Sequence, residues 1–74
     1  MITAQRSDHY DPGTWKPLSL PEGKKSATFT CPNRHTGSLE DHEILADGSV
    51  HPSVLCTFDG CGFHEFIKLE GWSP

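Results

Sequence analysis

The feature that most constrains this chain is a pair of short cysteine-containing segments. The first runs from Cys31 to His35 and the second from Cys56 to Cys61, with twenty residues between His35 and Cys56. Thiolate and imidazole groups are preferred ligands of zinc, and each segment is short enough to place two of them on one tight turn. The spacing therefore predicts two knuckles that grip one ion, with Cys31, His35, Cys56 and Cys61 as its ligands.

The length of the chain makes such a staple necessary. Only 34% of its 74 residues are hydrophobic, and domains of this size rarely bury enough apolar surface to fold without a metal or disulfides. Structural zinc supplies an apparent binding free energy of about 10–16 kcal/mol near neutral pH, and that binding is coupled to folding. Three cysteines cannot all pair within one chain, which favours metal-binding thiolates over a disulfide framework. The competing interpretation is a buried free thiol at Cys31, with Cys56 and Cys61 forming a disulfide or simply packing in the core.

The identity of the fourth ligand is less constrained than that of the three thiolates. His35 is favoured because it lies on the same turn as Cys31. Its rival is His64, three residues after Cys61, which reaches the metal if the strand after the second knuckle begins late. Iron suits four soft ligands as well as zinc does, so the ion itself stays open. The remaining histidines are expected on a hairpin or near the N-terminus: His9, His42 and His51.

The chain is predicted to consist of an extended arm, residues 1–25, and a folded domain, residues 26–74. The arm contains three prolines and two glycines, and no helical or strand period survives among them. Two alternatives stay open for it. The arm is partly disordered, or it packs because its large apolar side chains are costly to leave in water: Tyr10, Trp15, Leu18 and Leu20.

Strands are predicted throughout the folded domain. Residues 27–30 read as a strand that runs directly into Cys31. Asp47-Gly48 is a strong short-range hairpin signal, so residues 42–46 and 49–55 are predicted to pair. Residues 63–69 are predicted to form the last strand.

Over residues 29–69 these knuckles and strands resemble those of a zinc ribbon. The chain also resembles small uncharacterised ribbon proteins of phage and prophage origin, in segments 46–56, 60–64 and 69–72. The resemblance implies a small metal-stabilised β fold with a roughly three-stranded antiparallel sheet and one structural Zn²⁺. It departs from the common ribbon pattern because a histidine stands at position 35 and both knuckles are longer than C-x2-C. Ribbons serve as nucleic-acid binders, docking modules or structural clips, so the resemblance implies no specific reaction.

The charge balance bears on the partner. Ten acidic residues against six basic ones give a net charge of −4, and acidic proteins bind nucleic acid poorly unless their cations cluster. We therefore expect a protein-docking or regulatory adaptor, with the aromatic arm and exposed sheet edges as its contact surfaces. The alternative is a nucleic-acid-binding ribbon that uses Lys24, Lys25, Arg34 and Lys68.

Catalysis and membrane insertion are not expected. A catalytic zinc keeps one coordination position open, whereas three cysteines and one histidine fill all four. The chain lacks the H-x-E and P-C-x-x-C signature of zinc deaminases. It also lacks an apolar run of transmembrane length, and its N-terminus does not read as a signal peptide. The sequence thus predicts a non-catalytic protein of the cytoplasm.

Overall fold

The computed structural model describes residues 1–56 and 58–73, without the side chain of Glu22; Thr57 in the second knuckle and Pro74 at the end of the predicted domain lie outside the described residues. This part of the chain forms short strands and a 3₁₀ turn at Pro21–Gly23. The strands, in chain order, are β1 (Ile2–Arg6), β2 (Thr14–Ser19), β3 (Lys25–Thr30), β4 (Thr36–Ser38), β5 (Glu43–Ile44), β6 (Val50–His51), β7 (Val54–Leu55), β8 (His64–Glu65) and β9 (Ile67–Leu69).

Five strands make one mixed sheet in the order β4-β3-β2-β1-β9. Strands β4, β3 and β2 are antiparallel neighbours, whereas β1 runs parallel to both β2 and β9. Two short antiparallel ribbons, β5-β6 and β7-β8, complete the fold. The expected small β fold is confirmed, but its main sheet is wider than three antiparallel strands because the N-terminal segment adds two more.

That N-terminal segment lies inside the sheet. Ala4 on β1 is 0% exposed and Trp15 on β2 is 3% exposed, and the Trp15 indole N–H donates to the Glu70 carbonyl at 2.9 Å. Of the two alternatives for the arm, packing is the one observed, and the expectation that it contains no strand is wrong. The sheet crosses the boundary predicted between residues 25 and 26. The β1 signal was weak because its inward-facing apolar side chains are only Ile2 and Ala4.

The parallel pairing of β1 and β2 has a local explanation. Parallel neighbours usually need a crossover of about a dozen residues or more, yet only residues 7–13 connect these two strands. The connection suffices because pairing is limited to Gln5 with Thr14 and Arg6 with Trp15. Pro17 lies beyond those pairs, with its nitrogen on the β1 side of β2, so no hydrogen bond of the sheet is lost there.

The predicted hairpin around Asp47-Gly48 is confirmed only next to its turn, because Val54 and Leu55 pair with β8 instead. Glu43 pairs with His51 and Ile44 with Val50. The Asp47 carboxylate accepts the Ser49 amide at 2.9 Å, which lowers the pKa of that carboxyl, with further help from the Ser49 side chain and the charge of Lys68. A bridge between Ser49 and Lys68 then joins this ribbon to β9.

The apolar core lies mainly against the main sheet. Trp72 packs on Trp15 at its margin, with ring centroids 5.8 Å apart, and so caps the core there. The predicted last strand is present but interrupted at Phe66, which is 50% exposed. Within the described residues there is no helix with the length and apolar character needed to cross a membrane. The buried hydrophobic residues are Ala4, Trp15, Ala27, Phe29, Cys31, Leu39, Val50, Val54, Ile67 and Leu69.

Candidate metal centre

The first two candidate ligands lie at the tip of the hairpin formed by β3 and β4. The Cys31 amide donates to the His35 carbonyl at 2.9 Å, which extends the β3-β4 pairing by one step. The Arg34 amide donates back to the Cys31 carbonyl at 2.8 Å. Arg34 adopts φ 69°, a left-handed conformation that tightens the turn. The hairpin thus brings Cys31 and His35 to the same side of its tip.

The other two candidate ligands come from the β7-β8 hairpin. The Cys56 amide donates to the Phe63 carbonyl at 2.9 Å, which continues that pairing towards the loop. The Cys61 amide donates to the Phe58 carbonyl at 3.0 Å. Gly60 and Gly62, at φ 78° and 68°, provide the left-handed backbone that this turn requires. Each ligand pair is therefore held by backbone hydrogen bonds at the end of its own hairpin.

The two hairpin tips meet, and their ligand atoms form one cluster. One ligand atom from each of the four residues lies within 4.8 Å of all the others. The His35 Nδ1 atom is 3.5 Å from both Cys31 Sγ and Cys56 Sγ, and the Sγ atoms of Cys31 and Cys61 are 3.6 Å apart. The structure brings together the four residues that the knuckle spacing predicted, and this group can hold a metal ion.

The spacing of these atoms matches a tetrahedral ion. With bonds of about 2.3 Å to sulfur and about 2.0 Å to nitrogen, a tetrahedron places two sulfurs about 3.8 Å apart and a sulfur and a nitrogen about 3.5 Å apart. The observed separations of 3.6 Å and 3.5 Å follow this geometry. All three cysteines are free thiols, so the alternative of a disulfide between Cys56 and Cys61 is not what the structure contains.

The surroundings favour a thiolate at Cys61. The Asn33 side-chain N–H donates to Cys61 Sγ at 3.4 Å and, with the Phe63 amide and the His35 ring, lowers the pKa of Cys61 to about 6. At Cys56 the Phe58 amide lowers the pKa, but burial and the neighbouring thiols outweigh it and the pKa is raised. One thiol of the group is thus prepared for the deprotonated state that metal binding requires.

An aromatic side chain fixes the orientation of the imidazole. The His35 ring stacks on Phe58 with centroids 3.9 Å apart and planes inclined by 10°. Phe58 is itself 61% exposed, so the stack closes the outer side of the cluster while the ring nitrogen Nδ1 faces the thiols. No local pattern predicts this contact, because Phe58 lies in a loop 23 residues beyond His35.

The rival ligand His64 lies outside the cluster. It is exposed on β8, and its Nε2 atom hydrogen-bonds the Ser53 hydroxyl. His42 uses its Nε2–H for the Ser53 carbonyl at 3.3 Å. Neither belongs to the group of ligand atoms found among the described residues. The same holds for His9 and His51, which are exposed.

The four cations considered for nucleic acid are dispersed. Lys24 immediately precedes β3 and Lys25 is its first residue, whereas Arg34 lies beyond its other end; the strand separates these points by about 17 Å. Lys68 lies on β9, at the opposite edge of the sheet from β4. The structure therefore does not gather Lys24, Lys25, Arg34 and Lys68 into one patch.

An open pocket of about 470 Å³ adjoins the cluster. Its polar lining includes β4 (Thr36–Ser38), Asp41 and His42. The end of the pocket nearest the candidate metal site is lined by Cys31, His35 and Cys56. The apolar lining consists of buried and exposed side chains: Phe29, Leu39, Val54, Leu55, Phe58 and Phe63.

Comparisons of the chain with models of protein families, with curated proteins and with solved structures give no match. The resemblance to zinc ribbons therefore remains a prediction from the knuckle motifs.

Proposed function

We propose that this protein is a non-catalytic docking module whose knuckle end is held by one structural zinc ion, in the manner of a zinc ribbon. The observation that carries the proposal is the cluster of Cys31, His35, Cys56 and Cys61, with separations that suit a tetrahedral ion. Three thiolates and one imidazole are a common ligand set of structural zinc.

The ligand set also supports a structural rather than a catalytic role. Structural zinc sites are closed by four protein ligands, whereas catalytic sites leave a position for water or substrate. Here all four positions are supplied by the two hairpin tips, and Phe58 covers the imidazole. With zinc bound, three thiolates and a divalent ion give the centre a net charge of −1.

The docking part of the proposal is supported by the surface next to this centre. Leu55 and Phe58 are 56% and 61% exposed and both line the 470 Å³ pocket. Strand β4 is an edge of the main sheet, and an open edge is a template for pairing with another chain. Nucleic acid is the less supported partner because the chain carries a net charge of −4 and its candidate cations are dispersed.

The first experiment is native mass spectrometry of the purified chain before and after treatment with a chelator, together with hydrogen exchange. We expect one zinc ion per chain. After chelation, amides of the two knuckles and of β7-β8 should lose their protection, because the metal couples the two hairpin tips. A metal-free chain whose knuckle amides stay protected would contradict the structural role of the ion.

A matched pair of histidine variants tests the ligand assignment. His35→Gln removes a predicted ligand, whereas His64→Gln removes an exposed imidazole outside the cluster. We expect His35→Gln to lower zinc affinity by more than the roughly tenfold loss that removal of an outer-shell partner causes, while His64→Gln retains the affinity of the unchanged chain. The reverse order would assign the fourth position to His64.

A further inference from the structure

We propose that the open edge of β4 and the adjoining 470 Å³ pocket bind an extended peptide segment of another protein, with an apolar side chain flanked by Lys or Arg. This inference rests on the docking function proposed above and specifies its surface and the chemistry of its partner. The pocket together with the outer edge of β4 is called the peptide slot below.

The backbone of β4 carries the first step. In the β3-β4 ladder Phe29 faces Gly37, and the neighbouring hydrogen bonds join Cys31 to His35 and Leu39 to Ala27. Odd-numbered residues of β4 therefore direct their amides and carbonyls towards β3. Alternate residues of an antiparallel edge point the other way, so the N–H and C=O groups of Thr36 and Ser38 face outward. With respect to the described residues, two donors and two acceptors are thus available to an added strand.

The opposite edge of the main sheet is different. The Leu69 amide of β9 donates to the Gly48 carbonyl at 2.8 Å, and Ser49 forms a bridge with Lys68. The loop after β5 therefore covers β9. Edges that are not intended for pairing are commonly covered in this way, and β4 lacks such cover among the described residues.

The lining of the pocket indicates the side chain that would accompany an added strand. In strand addition, main-chain hydrogen bonds provide affinity and pockets for alternate side chains provide specificity. The slot offers buried apolar groups from Leu39 and Val54, and Leu55 extends them to the exposed rim. An aliphatic or aromatic side chain entering here would cover Leu55, which is otherwise 56% exposed. The volume is within the range of roughly 300–1,000 Å³ that is typical of ligand pockets.

Charge distinguishes a foreign peptide from a second copy of this chain. Asp41 lines the slot, and two further exposed carboxylates, Glu40 and Glu43, are close to it in sequence. The zinc-loaded cluster adds a net charge of −1 at the other end. Two copies paired through β4 would juxtapose these groups on chains that each carry −4, whereas Lys or Arg next to the apolar side chain would complement them.

One further group in the slot needs a hydrogen-bond donor. The His42 ring lines the pocket, and its Nε2 faces the Ser53 carbonyl, which can only accept. In the neutral ring Nδ1 is then an acceptor, and it is buried without a hydrogen-bond partner among the described residues. Because this atom is closed to solvent, a donor on the bound segment would reach it only after the ring turned.

The test is selection of a random dodecapeptide library displayed on phage against the full zinc-loaded chain, followed by affinity measurements on the enriched synthetic peptides. We expect peptides with alternating apolar or β-branched residues flanked by Lys or Arg. In NMR spectra, binding should shift the amide resonances of Thr36 and Ser38 and slow their exchange with water. Failure to enrich any peptide would overturn the inference.

Two pairs of variants locate the binding. Ser38→Pro removes the outward N–H, whereas Ser38→Ala loses the same hydroxyl and keeps that N–H; we expect a loss of affinity of about tenfold or more only for the proline variant. Leu55→Ser should also weaken binding, while Leu45→Ser, at a residue that is 37% exposed and does not line the slot, should not. Because Leu55→Ser changes an exposed side chain, it keeps the test valid if Ser38→Pro folds poorly.

The inference and the proposed function fail separately. The peptide slot would be the wrong binding surface if enriched peptides bound the four variants equally or shifted amide resonances outside the slot. The protein would then remain a docking module that uses another surface. Dimerisation of the chain that Ser38→Pro abolishes would make a second copy the occupant and also overturn the peptide assignment. Absence of zinc in the same preparation would instead contradict the structural metal.

Discussion

The two ends of this molecule differ in the length and burial of their strands. At the sheet end, strands β1, β2, β3 and β9 bury Ala4, Trp15, Ile67 and Leu69 almost completely. At the knuckle end, β7 and β8 have two residues each and all three residues of β4 are exposed. Apolar burial can hold the first end, whereas in the function proposed above an ion joins the hairpins of the second. On that proposal this small chain divides its stabilisation between a core and a metal.

The largest effect is expected from removing a metal ligand at the knuckle end. Cys56→Ser should abolish stoichiometric zinc binding, since the structural ion contributes about 10–16 kcal/mol in small peptides. Hydrogen exchange should then show amides of β7, β8 and the knuckles unprotected, while amides of β1 and β9 retain measurable protection. Simultaneous and equal loss of protection at both ends would show that the two ends unfold as one unit.

The next effect concerns the core of the sheet end. Ile67 is 0% exposed, so Ile67→Ala leaves a cavity and should lower the free energy of unfolding of the zinc-loaded chain by about 2–5 kcal/mol. Phe66→Ala, at the adjacent residue that is 50% exposed, is the control and should cost much less. Denaturant titration measures both. Equal losses in the free energy of unfolding would mean that the apolar core does not stabilise the sheet end.

These two ends also differed in how well the sequence predicted them. Cys31, His35, Cys56 and Cys61 could be selected because each pair lies on a local turn, and turn chemistry is encoded in adjacent residues. The hairpin at Asp47-Gly48 was predicted for the same reason. By contrast, β1 is held by pairing with β9, as in Ile2 with Ile67, and such distant pairing leaves little local pattern. Two strands of the sheet end were consequently interpreted as an arm.

At the site, likewise, only the candidate ligands could be predicted from the sequence. The contact between Phe58 and His35, the hydrogen bond from Asn33 to Cys61 and the outward edge of β4 depend on how the hairpins meet. None of them follows a spacing rule. Fold class and ligand set were therefore accessible from local motifs, whereas strand order and the surroundings of the site required the three-dimensional structure.

A third prediction tests how the β5-β6 ribbon is joined to the sheet end. Gly48 has φ 92°, and a Cβ atom placed there would clash with the Leu69 carbonyl oxygen. Gly48→Ala should lower the free energy of unfolding by about 2–4 kcal/mol, because left-handed strain adds to a backbone clash. Gly13→Ala isolates the conformational part, since Gly13 also has positive φ, 75°, but open space around it. Equal effects would show that the close approach to β9 is unimportant.

The smallest effect is expected at Asn33, which supports the centre without ligating it. Its N–H donates to Cys61 Sγ at 3.4 Å and favours the thiolate, and hydrogen bonds of this kind commonly affect metal affinity by about 10–100-fold when removed. Because Asn33 is exposed, the lower part of that range is expected for Asn33→Ala, measured by competition with a chelator. Asn33→Asp replaces the donor with a carboxylate facing the thiolate and should weaken binding further, while unfolding of the sheet end stays unchanged. If Asn33→Asp bound zinc as tightly as the unchanged chain, the zinc affinity would be set by the four ligands alone. The two ends of the molecule would then differ only by the presence of those ligands.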